Sequence, residues 1–183
     1  AGRTVVIIAH RPSVLATVDK VMVMRDCSVS LYGPRAEVLT KVMRPVIADA
    51  PPPVERWRIK DRFPTGVRSL DMMLTVGQGQ RVGLFAGPGC GKTTLMAAIG
   101  RGSPADAIVV GLIGERGREV RSFLEHDLGV EGLKRSVVIV STSDNPPLVR
   151  LRAAYAATSI AEYFREQGQN VLLMMDSVTR FAM

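Results

Sequence analysis

Four apolar runs dominate residues 81–176: RVGLFA (81–86), AIVVGLI (107–113), SVVIVST (136–142) and VLLMMD (171–176). Each is strand-sized, and none alternates polar with apolar. A strand without alternation must be buried on both faces, the mark of a parallel sheet covered by helices. The segments between the runs predict those helices at residues 92–101, 116–128 and 147–167. The predicted class is therefore α/β, a parallel sheet with helices on both faces. Upstream the pattern differs. TVVIIA (4–9) reads as a buried strand, 12–20 as a short helix, VMVM (21–24) and VSLY (29–32) as short strands about a turn at RDCS. Gly33-Pro34 should break the chain, with Pro34 opening a helix through Val42. Pro51, Pro52 and Pro53 forbid helix and favour extended backbone. The division is residues 1–45, a joint at 46–53, and a core at 54–183.

Composition narrows the picture only modestly. With 183 residues, 46% of them hydrophobic and 22% charged, the chain suits one domain or one domain with a short module. No run approaches the eighteen or more apolar residues of a membrane-spanning helix. Position 1 is Ala, and no basic-then-apolar leader follows, so the chain reads as a piece of something longer or a processed product. The net charge of +7 fits attraction to nucleic acid or an anionic membrane, or a basic protein whose own ligand is a polyanion. The basic cluster Arg56, Arg58, Lys60, Arg62 and Arg68 has only Trp57 and Phe63 as interleaved rings, too few for a single-strand stacking platform. We therefore expect no nucleic-acid partner. Two cysteines, Cys27 and Cys90, with no reason to pair, suit a reducing cytoplasm.

The candidate chemistry begins at AGPGCGKTT (86–94). Ala86 stands at the first position of a phosphate-binding loop, where Gly is usual, and Gly91, Lys92 and Thr93 at its last three. Gly87, Gly89 and Gly91 let backbone N–H groups turn inward, with Pro88, Cys90 and Thr94 completing the loop. A helix starting near Lys92 aims its positive end at the same phosphates. Lys92 would then reach the β- and γ-phosphates of ATP, and the Thr93 hydroxyl would ligate Mg²⁺. Asp176 closes the buried run VLLMMD, where an acid can hold Mg²⁺ directly or through water. Glu115 follows AIVVGLI at the same carboxyl edge of the sheet, where ligands of open parallel sheets bind. It suits either a general base for an attacking water or a charged helix start. Arg116 could hold Glu115 or a phosphate. His10, ending TVVIIA, is a packed histidine or a γ-phosphate sensor.

These motifs together resemble one family. From about Pro52 to Met183 the chain is similar to the export ATPases of flagellar and virulence type III secretion systems, relatives of the catalytic subunit of rotary ATP synthases. RFPTGVRSLD, GQRVGLFAGPGCGKTTLM, VGLIGERGREV, STSDNPPLVRLRAAYAATSIAEYFREQG and VLLMMDSVTRFAM carry the resemblance. It implies a RecA-like P-loop fold, ATP hydrolysis with Glu115 as catalytic carboxylate, and a hexameric ring. It also implies secretion-apparatus partners and a cytoplasmic place, peripheral at the inner face of the membrane. The family's arginine finger and adenine contacts would fall beyond Met183. Residues 1–44 resemble instead the tail of an ABC transporter nucleotide-binding domain of the type I secretion kind, IIAHRPS matching its switch-histidine loop. Cys27 stands where most of those relatives have Gly.

In related P-loop ATPases the strand after Asp176's position inserts between the P-loop strand and VLLMMD. TVVIIA is the corresponding strand of the ABC-like segment, so the two pieces could complement each other like a permuted domain. The expectation is TVVIIA between RVGLFA and VLLMMD, with His10 near the γ-phosphate and VMVM on the far side of RVGLFA; two lobes joined at Pro51–Pro53 is the competing arrangement. A nucleotide-binding module without turnover and a non-functional fusion fragment stay open beside the ATPase.

Overall fold

A computed structural model of the chain describes residues 5–7, 20–25, 28–34, 44–87 and 89–182, with the first three groups and 44–45 described as backbone only. The strands are β1 (Val5–Ile7), β2 (Lys20–Arg25), β3 (Ser28–Pro34), β4 (Arg44–Pro45), β5 (Ala107–Glu115), β6 (Ser136–Thr142) and β7 (Val171–Asp176). The helices are α1 (Arg68–Met73), α2 (Lys92–Gly102), α3 (Gly117–Ser122), α4 (Gly129–Lys134), α5 (Pro147–Glu166) and α6 (Val178–Ala182), with a π turn at Phe123–Leu128. Four strands form a parallel sheet in the order β1-β6-β5-β7. β2, β3 and β4 form a separate antiparallel sheet.

The apolar runs behave as their lack of alternation requires. Ile108, Val109, Val110 and Ile113 are fully buried in β5, flanked by β6 and β7. Even-numbered β5 residues pack on one face with Met96 and Ala97 of α2 and with Phe123 and Leu128. Odd-numbered ones pack on the other face with Ala153, Ala154 and Ala157 of α5. Those alanines let α5 lie close: a Cβ on Gly111 would sit 3.3 Å from that of Ala157. The helix expected over 116–128 breaks up. α3 passes into the π turn, whose Phe123 and Leu128 are both buried, and Gly129 (φ +67°) then starts α4. Core packing of those two side chains outweighs regular helical spacing.

Four further expectations are corrected. Residues 81–86 form no strand; Val82 and Phe85 are 54% and 97% exposed, and only Leu84 packs against the core. β1 joins the sheet at the opposite edge from the one expected, pairing Val5, Val6 and Ile7 with Val138, Ile139 and Val140. VMVM pairs with β3, not beside residues 81–86. β3 runs through Gly33-Pro34 rather than ending there. For β1 the reason is that apolarity drives a strand to an open sheet edge but does not select which one. The helices expected at 12–20 and 34–42 fall wholly or mainly outside the described residues, as do His10, Cys27 and Pro88.

The far end of α2 is held by one side chain. Arg135 donates to the carbonyl oxygens of Gly100, Arg101, Ser103 and Ala105 at 2.8–3.0 Å. These include last-turn carbonyls that have no partner within the helix. Arg135→Ala should therefore cost about 2 kcal/mol of stability, from charge-assisted hydrogen bonds at a partly buried site. Urea unfolding followed by circular dichroism measures it, and an unchanged midpoint would refute the anchoring role.

Candidate functional site

The loop before α2 has the backbone that its glycines were expected to supply. Gly89 and Gly91 have φ of +77° and +84°, in the left-handed region that side chains disfavour. The Cys90 N–H donates to the Gly87 carbonyl at 3.3 Å, closing the turn, and Gly91 caps α2. The first N–H groups of α2 lack partners within the helix and carry its positive dipole end. Cys90 and Thr94 are exposed, whereas Thr93 is half-buried.

Lys92, at the start of α2, pairs directly with Asp176. β7 pairs Asp176 with Leu112 and Met174 with Val110, on the sheet face that α2 covers. Asp176 is thereby buried, its side chain 4% exposed, and the Lys92 ammonium is its cation. Together with Thr93, Glu115, Glu119 and Asp127, Asp176 lines a cavity of about 220 Å³. A larger, open depression on α3, lined by Arg118, Arg121 and His126, holds none of the expected site residues.

Glu115 stands in that cavity under two opposing influences. Burial raises its carboxyl above the usual value, reinforced by a hydrogen bond with Glu119 and by the Asp176 charge. Arg180, 3.3 Å away, pulls it down without reversing the net direction. Glu119 is held below its ordinary value, first by its hydrogen bond with Glu115. A raised carboxylate in a cavity can take a proton from water. Arg116 does not hold Glu115: it is exposed and pairs with Glu119 at 3.1 Å. Its backbone caps α3 in extended conformation, which sends the side chain along the helix surface.

The cation on Glu115 is Arg180, which the sequence reading gave no role. Arg180 also donates to the Gly114 carbonyl. A basic residue four positions past a strand-ending acid was the available signal, and it is weak without a known helix there. Glu119, a carboxylate at the start of α3, carries no sequence signal that would separate it from a surface charge. β1 lies three strand positions from β7, roughly 14 Å at ordinary strand spacing.

The residues suit Mg²⁺ held jointly with a nucleotide. Among the described residues no three acidic, His or Cys side chains are disposed to hold a metal alone. Thr93 and Asp176 line one cavity. Mg²⁺ commonly takes one or two protein oxygens and fills its shell with phosphate and water.

The chain is 58% identical over 149 residues to the flagellum-specific ATP synthase of Bacillus subtilis (strain 168), covering 80% of this chain and 34% of that one. It is 56% identical over 159 residues to a type 3 secretion system ATPase of Pseudomonas savastanoi pv. phaseolicola, covering 86% and 34%. It thus spans about a third of the length of these relatives. A solved prototypical ATPase from the type III secretion system of pathogenic bacteria matches with a TM-score of 0.74 and 55% identity, over 77% of this chain and 40% of that one. The assembled ATPase EscN in complex with its central stalk EscO, from enteropathogenic E. coli, matches with a TM-score of 0.73 and 54% identity, over 78% and 35%. The family model described as the ATP synthase alpha/beta family, nucleotide-binding domain, matches residues 66–183. Through that match, over the residues that build the loop, the cavity and the sheet edge beneath them, the chain belongs to the ATP synthase alpha/beta family.

Proposed function

We propose that the chain binds Mg-ATP at residues 87–94 and that the protein it represents hydrolyses ATP to energise protein export. One observation carries the reading: Lys92, Thr93, Asp176 and Glu115 converge at the N-terminus of α2 and the carboxyl ends of β5 and β7. In this proposal the loop amides and Lys92 hold the phosphates, Thr93 and Asp176 hold Mg²⁺, and Glu115 accepts a proton from the attacking water. Arg116, exposed at the edge of the site, is free to turn from Glu119 toward a phosphate. The relatives named as flagellar and type 3 secretion ATPases support the export context. The EscN structures, described as assembled and in one case with a central stalk, support a ring and apparatus partners. A cytoplasmic position, peripheral at the membrane's inner face, completes the proposal.

The ABC-like reading of residues 1–44 is retained only for their beginning. The P. savastanoi match runs over 159 residues, more than residues 45–183 contain, so part of 1–44 aligns with the export ATPase as well.

Binding without turnover is favoured by a specific feature. Residues 81–86, which lead into the loop, form no strand and touch the core only through Leu84, so among the described residues the sheet does not hold the leading side of the loop. Equilibrium binding of a fluorescent ATP analogue, measured beside phosphate release, separates the readings. Binding with release supports hydrolysis, binding alone supports the module, and no binding removes both.

A further inference from the structure

Strict alternation along β5 would put Glu115 on the wrong face. Val109 and Ile113 pack toward α5, and Glu115, two residues past Ile113, should follow them. Instead Glu115 shares a cavity with Leu112, Thr93 and Asp176 on the α2 side. The ladder to β6 explains the inversion. Ile113 pairs with Ser141 and Glu115 with Thr142, so Gly114 is an extra residue on β5, a bulge. Its φ of +76° is one that glycine adopts without a steric penalty. A second constraint falls on the same atom. A Cβ on Gly114 would lie 2.7 Å from Cδ and 3.1 Å from Cβ of Arg180, the residue that bonds the Gly114 carbonyl and pairs with Glu115.

We infer that Gly114 is a positioning residue for the reaction, its bulge turning Glu115 onto the nucleotide face and its bare Cα seating the Arg180 stem that holds Glu115 there. The inference rests on the proposed role of Glu115. Gly114→Ala should lower phosphate release by about a hundredfold, the scale of a lost general base, with Mg-ATP affinity within about twofold of the parent, as expected for a group that acts only in the chemical step. Added to Glu115→Gln, it should lower release no further, because both act through one carboxylate. Gly114→Asn keeps a backbone that tolerates positive φ and so tests the collision with Arg180 even where Gly114→Ala folds poorly. If Glu115→Gln leaves release unchanged, the role of Glu115 fails. If Glu115→Gln abolishes release while Gly114→Ala and Gly114→Asn retain it, this inference fails. A crystal structure of either Gly114 variant with Glu115 still beside Thr93 and Asp176 overturns it whatever the turnover.

Discussion

Replacing Lys92 by Ala should weaken Mg-ATP binding by about 2–3 kcal/mol, a rise in the dissociation constant of roughly 30- to 150-fold. In the proposed reading the ammonium is the cation that meets the phosphates at the head of α2, and a charge-assisted contact of this kind would have no neutral substitute in the loop. A second effect follows from its present partner. Lys92 neutralises Asp176, which is almost fully buried. Removing one member of a buried pair costs about 3–5 kcal/mol, but Lys92 is about a third exposed and solvent screens it, so about 1–2 kcal/mol of stability is expected. The two effects separate in the double variant. Adding Asp176→Asn to Lys92→Ala should restore stability, because no buried charge is left unpaired, but not affinity. Isothermal titration calorimetry and urea unfolding read the two quantities. A folded Lys92→Ala that binds Mg-ATP as tightly as the parent would end the P-loop assignment.

Glu115→Gln should keep Mg-ATP binding and lower phosphate release by roughly a hundredfold or more, the usual scale of a lost general base. Gln has the shape and the hydrogen bonds of a protonated Glu but cannot accept a proton from water. The raised carboxyl sets two pH signs. The base acts when ionised, so turnover should fall as pH drops through a value above the ordinary 4.5. Stability runs the other way. A carboxyl raised in the folded state contributes stability that is present at low pH and lost as pH rises through its folded value. Glu115→Gln stays neutral throughout, so at neutral pH it should be no less stable than the parent, with the difference closing in acid. Thermal unfolding from pH 4 to pH 8 measures this. A variant that releases phosphate at the parental rate, or that melts well below the parent at neutral pH, contradicts the assignment.

Much of the core was legible in the residues. The bounds of β6 and β7 coincide with the apolar runs SVVIVST and VLLMMD, because non-alternating strands can only sit between two helical layers. α2 starts at Lys92, where the glycine-rich turn ends, since Gly91 can take the left-handed cap that starts a helix there. Lys92, Thr93 and Asp176 were readable because local spacing places each at an element's end, on one edge of the sheet.

Other features depended on partners far along the chain. A free parallel edge accepts any apolar strand, so only the assembled sheet decides that β1 lies beside β6 and that residues 81–86 stay unpaired. A π turn forms where Phe123 and Leu128 both reach the core, which local propensity does not encode. The face that Glu115 occupies is the clearest case. Period-2 alternation points it at α5, and a bulge that exists only in register with β6 points it at α2. Arg180 becomes its cation because α6 folds back over Gly114, 66 residues earlier in the chain. The sequence by itself determined which residue types stand at the ends of β5, β7 and α2, because strand and helix ends follow from local patterning. The tertiary structure decided which carboxylate faces which cation, because that depends on ladder register and on contacts between residues distant in sequence.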